Sequence, residues 1–330
     1  MPNHKATRRS CQQWAPDPTP LRRLSHFEYW NTIHALYPGV SFPDIDLPAD
    51  NRPHEFDNDA DALVVNTNLV ERYLDVAKAL VEALEQQDRL AELADCAPGD
   101  GATREEIAAC GEAFVRQEGA RLFRRPLTDG QVEKYSRLFR DEDLSEASFA
   151  QLQGFTLRLM LAAPEFLYRF ERGAEDINPG ESVALDAYAL ASRLSYFFWN
   201  SPPDEELLRA AAAGELTTDA GIEAQASRMV EDARSRDALN RAVLELLGVA
   251  DFDTFNKGST ELDAELRVAM LDDTYAFVDH VLWEDDGRLD TLLTANYAFV
   301  NDRTAELYGL EAPGSGGSVR VDLDDNQRIG

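Results

Sequence analysis

Residues Ala184 to Leu216 read ALDAYALASRLSYFFWNSPPDEELLRAAAAGEL. Leu185, Tyr188, Leu190, Ala191, Leu194, Phe197 and Phe198 recur three and four positions apart, the spacing of an apolar helix face. That face is wide enough to predict a packed core helix. Pro202 and Pro203 end it, because proline lacks the amide hydrogen and its ring clashes with the preceding turn. Asp204 supplies the cap of a second helix, and Gly214 terminates it. Asn200-Ser201-Pro202-Pro203 is then an elbow between two helices. No residue in the stretch is overtly catalytic.

The same signals extend to both sides. Ser25 with Glu28 three positions later forms a capping box, opening a helix whose stripe is Phe27, Trp30, Ile33 and Leu36. Pro38-Gly39 ends it, and a Pro- and Asp-rich loop follows to about Asn66. The spacing of Leu69, Val70, Tyr73, Leu74, Ala77, Leu80, Val81 and Leu84 predicts one helix from Thr67 to Ala94. Thr103 with Glu106, and Thr128 with Gln131, cap two more, the first finishing at Arg124-Arg125-Pro126. Another starts near Ser145, and Pro164 opens a short helical turn. Helices over 219–233, 235–248 and 261–284 follow, the last packing Leu266, Met270, Tyr275, Phe277, Val278 and Leu282. Leu292 to Tyr297 leads into a short helix from Asn301 to Tyr308, and Ser318 to Val321 is the only strand expected. The fold class is all-α: multi-helix orthogonal bundles in tandem with little or no β. The expected units are a disordered lead-in (1–20), an N-terminal helical domain (21–95), a middle helical domain (96–172), a main helical domain (173–312) and a tail (313–330). The acidic, Gly- and Pro-containing segment 171–182 marks the boundary before the main domain.

Composition excludes several function classes. The 330 residues carry a formal charge of -29, which repels nucleic acid and anionic lipid alike. No apolar run approaches the roughly 18 residues that cross a bilayer. Lys5, Lys78, Lys134 and Lys257 are the only lysines among 32 basic residues. Two readings fit this balance: a coding bias together with a salty habitat, or an acidic face that docks a cationic partner. Neither CxxC nor CxxCH occurs, so no c-type haem is attached and no cofactor is expected in the chain. Cys96 and Cys110 flank a loop holding Pro98, Gly99 and Gly101; they either bond in an oxidising compartment or stay as two core thiols. The first residues lack the apolar region of a signal peptide, and Cys11 has no hydrophobic run before it.

Candidate chemistry is sparse. His4, His26, His34, His54 and His280 are scattered, and no HExxH, GxSxG, GxGxxG or P-loop occurs. Asp57, Asp59 and Asp61 alternate like the start of a calcium loop. Its sixth position is Ala62 and its twelfth Asn68, where Gly and Glu are needed, so the EF-hand reading fails. Turn and helix capping is the main expectation there, and a looser calcium site the minor one. Arg124 and Arg125 could hold an anion or neutralise carbonyls at their helix end; the second is expected. Asn200, Asn296 and Asn301 sit at element ends, where Asn caps backbone. Trp30 and Trp199 read as core.

Several segments together resemble one group. Leu24 to Ile33 is similar to its LTRxEYxNTI opening, bringing in Glu28 and Asn31. Glu55 to Leu63 resembles its GFDNNADAL, with Asp57, Asn58 and Asp61. Leu122 to Thr128 resembles AFRRPLT, with Arg124 and Arg125. Ala191 to Ser201 and Leu293 to Asn301 match as well, bringing Arg193, Asn200, Asn296 and Asn301. The chain is thus similar to the planctomycete-type, cytochrome-c-associated proteins built from tandem domains of unknown function, those numbered 1587, 1595, 1592 and the start of 1588. The resemblance implies export to the periplasm or cell envelope, a c-type cytochrome or cytochrome domain as partner, and a disulfide between Cys96 and Cys110. The usual HYG after the late motif reads Leu307-Tyr308-Gly309, and members continue into further domains where this chain reaches Gly330, so 313–330 reads as a flexible tail or the start of a truncated domain. The expected function is a non-haem component of a cytochrome-linked redox or polymer-processing assembly. The rivals are a non-catalytic structural or binding module for cell-surface polymers and a hydrolase using Asp57, Asp61 or Glu165.

Overall fold

Ser25 accepts the Glu28 amide while the Glu28 carboxylate accepts the Ser25 amide, so both ends of the expected capping box close at α1, His26–Leu36. In this computed structural model the described residues are 20–52, 56–99, 101–144, 146–171, 184–252 and 262–323. The lead-in to residue 19, the boundary segment 171–182 beyond Glu171, and the tail from 324 lie outside them. The expected stripe on α1 is rotated. Tyr29, Ile33 and Leu36 are buried together with Glu28 and Thr32, while Phe27 and Trp30 are half-buried.

α2, Thr67–Gln86, is shorter than the expected helix to Ala94. Asp88 adopts φ +54°, and the amides of Asp88 and Arg89 return to the carbonyls of Glu85 and Leu84. This left-handed cap stops the helix and folds Leu90 back into the core. α3 (Arg104–Leu122), α4 (Asp129–Ser136) and α5 (Phe149–Leu161) each begin at a capping box. The box of α5 is Ser148 with Gln151, so the helix starts later than expected near Ser145. Pro164 opens α6, Pro164–Leu167, which runs into the strand β2, Tyr168–Arg169. β2 pairs antiparallel with β1, Arg22–Arg23, in the register Arg22↔Arg169.

These elements share one core. Tyr29, Tyr73, Leu80, Phe114, Phe139 and Phe166 are fully buried within it, and Tyr196 reaches it from further along the chain. Its packing leaves no slack: a Cβ on Gly111 would lie 2.1 Å from the Phe139 ring.

α7, Ala187–Trp199, buries a different face from the expected one. Ala189, Ala191, Ser192, Ser195, Tyr196 and Trp199 are inside, whereas Phe197 is 74% exposed. Small residues let the helix approach neighbours on two sides, which an aromatic stripe would prevent. Asn200 ends α7 in the left-handed conformation, and Asp204 caps α8, Glu205–Ala212. With α9 (Asp219–Val230) and α10 (Ala233–Leu246) they close a second core around Trp199, Leu207, Leu216 and Met229.

The last unit is α11 (Ala264–Trp283), α12 (Leu289–Thr294), β3 (Tyr297–Val300), α13 (Asp302–Tyr308) and β4 (Val319–Asp322). The expected strand at Ser318–Val321 is β4, and it pairs antiparallel with β3, Val300↔Val319, a strand the helical reading missed. α11 buries Leu266, Asp273, Val278 and Val281, so an acid replaces part of the expected apolar face. The class is all-α, with two small two-stranded sheets among the described residues. None of these helices is long and apolar enough to cross a membrane.

Candidate functional site

Most of the motif residues converge where α1, α6, β2 and α7 meet. Glu28 is 1% exposed; besides capping Ser25 it lies 3.5 Å from Arg169. Burial pushes its carboxyl above the usual range, and Arg169 opposes that shift. Thr32 on the next turn donates to the Glu28 carbonyl at 2.7 Å. Its single hydrogen is thereby used, so the Tyr196 hydroxyl donates to Thr32 Oγ1 at 2.8 Å. The guanidinium groups of Arg124 and Arg169 lie over the Tyr196 ring at 5.7 and 5.1 Å.

Arg124 is 3% exposed and has φ +58°. It donates to the carbonyls of Leu122, Glu165, Phe166 and Tyr168. The expected neutralisation of carbonyls therefore holds, but chiefly at α6 and β2 rather than at its own helix. Arg125 lines a cavity of about 20 Å³ with Glu165, Asp186 and Ser192, space for a water molecule. Asn31 donates through Nδ2 to the Asn200 carbonyl at 3.2 Å. Arg193 is exposed and forms a bidentate pair with Glu171. These contacts make a polar joint between chain segments, with its donors directed at backbone carbonyls and at internal carboxylates.

Asp57 stands at a second joint. It is buried, 3.2 Å from Arg241 and 3.8 Å from Arg52. Arg241 also pairs with Glu245 at 3.0 Å and covers the Phe27 ring at 4.0 Å. Burial, followed by the nearby Asp57 charge, pushes the Glu245 carboxyl up to about 7, while Arg241 opposes. Arg52 binds Asp251 as well. Alongside, Asp50 accepts from Arg23 and from the His26 amide. Burial lowers the His26 pKa, with Asp50 opposing. The other motif acids diverge. Asp59 Oδ1 accepts the Asp61 amide and its carbonyl accepts those of Ala62 and Leu63, the turn that was expected. Asn58 and Asp61 are exposed. Glu165 accepts from Gln131, far along the chain from both. His54 and Glu55 lie outside the described residues.

The late motif lies at the third place. Asn301 caps α13 through Oδ1 and donates to the Ala269 carbonyl and Asp273 Oδ1, each at 3.1 Å. Asn296 is exposed, and its carbonyl accepts the Leu323 amide at 2.7 Å. Between α11, α13 and the β3–β4 pair is a cavity of about 290 Å³, walled by Met270, Asp273, Phe277, Tyr297, Phe299 and Tyr308. Leu307, at the HYG histidine's place, is exposed.

Arg169, Tyr196, Arg241, Glu245 and Asp273 were not singled out from the sequence. Apart from the Arg241–Glu245 pair, four positions apart, their polar groups act through partners tens to hundreds of positions away. One signal existed: Asp273 stands where the α11 periodicity demands an apolar residue. Cys96 and Cys110 form the expected disulfide, with Cα atoms 5.8 Å apart.

Three family models match in order: protein of unknown function (DUF1587) over residues 22–85, protein of unknown function (DUF1595) over 110–171, and protein of unknown function (DUF1592) over 185–310. No curated protein and no solved structure matches the chain. The joint described above draws on all three matched regions: Glu28 and Thr32 from the first, Arg124 and Arg169 from the second, Tyr196 and Asn200 from the third. The chain belongs to the proteins built from these tandem domains of unknown function.

Proposed function

We propose that this protein is a non-haem docking component of an extracytoplasmic assembly, and that its partner is a basic c-type cytochrome or cytochrome domain. The observation that carries the reading is where the acid sits. Among the described residues only Glu28, Asp57, Glu118, Glu245 and Asp273 are buried acids. Every other acid among the described residues is therefore partly or fully exposed, while Arg23 and Arg124 are taken into the interior. Such a surface attracts a cationic protein over a Debye length and sets its approach. The Cys96–Cys110 disulfide suits an oxidising compartment. Glu28, Asn31, Asp57, Arg124 and Asn301 support a docking part rather than a catalytic one, since their polar groups are engaged in joints between segments.

The test is a titration with a purified basic c-type cytochrome, followed by calorimetry at low and at high ionic strength. The expected result is saturable binding that weakens steadily with salt. No binding at low ionic strength overturns the proposal. Capture of colourless envelope polymer in place of a haem protein would favour the surface-polymer module instead.

A further inference from the structure

Five buried acids are found among the described residues, and four of them face an arginine. Glu28 has Arg169, Asp57 and Glu245 share Arg241, and Glu118 has Arg121 at 2.6 Å. Asp273 is the exception: it is 7% exposed, and among the described residues no basic side chain pairs with it. Its three side-chain donors are neutral. Asn301 Nδ2 and Ser318 Oγ donate to Oδ1, and Thr304 Oγ1 donates to Oδ2. A carboxylate offers about four lone-pair sites, so these donors orient the group and leave acceptor capacity on Oδ2. Burial accordingly pushes the Asp273 carboxyl upward, with the three hydrogen bonds opposing.

Asp273 also lines the cavity of about 290 Å³, whose other walls are aromatic or apolar apart from Thr274, whose hydroxyl donates to the Met270 carbonyl. Phe277 and Tyr297 stand 5.6 Å apart there, and Phe299 and Tyr308 complete the aromatic lining. Ring faces are electron-rich and attract cations strongly once water is excluded. One face of Tyr297 already carries the Arg320 guanidinium at 4.1 Å.

The geometry points to a binding site for a small organic cation: an ammonium group against Asp273, on a short hydrocarbon or single-ring body held by Met270, Phe277 and Phe299. The volume is near the lower end of ligand pockets, about 300–1,000 Å³, and admits one ring with a short tail. The ligand supplies the counter-charge that each of the other buried acids receives from an arginine. The negative field of the whole chain raises the local concentration of such a cation.

The experiment uses the intact chain, titrated by calorimetry with phenethylammonium and separately with 2-phenylethanol, a neutral molecule of nearly the same shape. The ammonium is expected to bind about tenfold or more tightly, equivalent to ~1.4 kcal/mol. Asp273→Asn keeps the size of the side chain and should bring the two ligands within about twofold of each other. Met270→Trp fills the cavity and should remove binding of both. Equal affinity of the two ligands for the unaltered protein overturns the proposal, and needs no variant to fold. Undiminished ammonium binding by Met270→Trp overturns it too, because the cation would then sit elsewhere on the acidic surface.

Discussion

The Tyr196 hydroxyl donates to Thr32 Oγ1 at 2.8 Å, tying α7 to α1 across 164 positions of chain. The same ring receives the guanidinium groups of Arg124 and Arg169. Tyr196→Phe removes one buried hydrogen bond and keeps the ring, so a loss of about 1 kcal/mol is expected. Tyr196→Ala also opens a cavity beneath two arginines and should cost roughly 3–5 kcal/mol. Urea denaturation of both variants checks the ratio; equal losses would show that the ring adds nothing to the joint.

Arg124 and Arg193 belong to neighbouring motifs but differ in burial. Arg124→Ala strips the donor from the carbonyls of Leu122, Glu165, Phe166 and Tyr168, and is expected to cost about 3–5 kcal/mol. Arg193→Ala breaks an exposed pair with Glu171 and should cost less than about 1 kcal/mol. Thermal unfolding of the two proteins side by side measures the contrast.

Glu245 makes the second joint sensitive to pH. Its carboxyl titrates near 7 in the folded chain and near 4.5 when free, so between these values the folded state holds more protons than the unfolded one. Stability from this group therefore falls as pH rises from about 4.5 to about 7, and is level above that. Asp57, Arg241, Arg52 and Asp251 are the charges around it. Glu245→Gln removes the cost while leaving Arg241 paired with Asp57. A gain on the order of 1 kcal/mol is expected at pH 8, and little change at pH 4. Melting temperatures across that range would refute the assignment if the gain were the same at both ends.

The Cys96–Cys110 bond closes a loop of sequence separation 14 that includes the first turns of α3. Such a loop constrains the unfolded chain by about 3 kcal/mol. Paired Cys96→Ser and Cys110→Ser substitutions should lower the denaturation midpoint accordingly, and added reductant should then have no further effect.

The joints were only partly readable in advance. Glu28, Asn31, Arg124 and Asn200 stood out through their motifs, but each motif named one side of a contact. Arg169 has no local pattern around it, and it becomes Glu28's partner only because β2 pairs with β1. Asp57, by contrast, stood out for its alternation with Asp59 and Asp61, yet its side chain turns inward to Arg241 while theirs do not.

What the chain determines by itself is local: the start of each capped helix. Ser25 with Glu28, Thr103 with Glu106, Thr128 with Gln131, and Asp204 all cap where their spacing places them, because a cap is satisfied within four residues. The elbow at Asn200 and the helical class follow from the same short-range chemistry. What only the tertiary structure decides is which face of α7 is buried, where α2 stops, and that β3 pairs with β4. Each of these depends on surface buried against residues remote in sequence. Phe197 is apolar enough for a core, but the close approach of neighbours on two sides of α7 selects Ala191, Ser195 and Trp199 and leaves that ring in solvent.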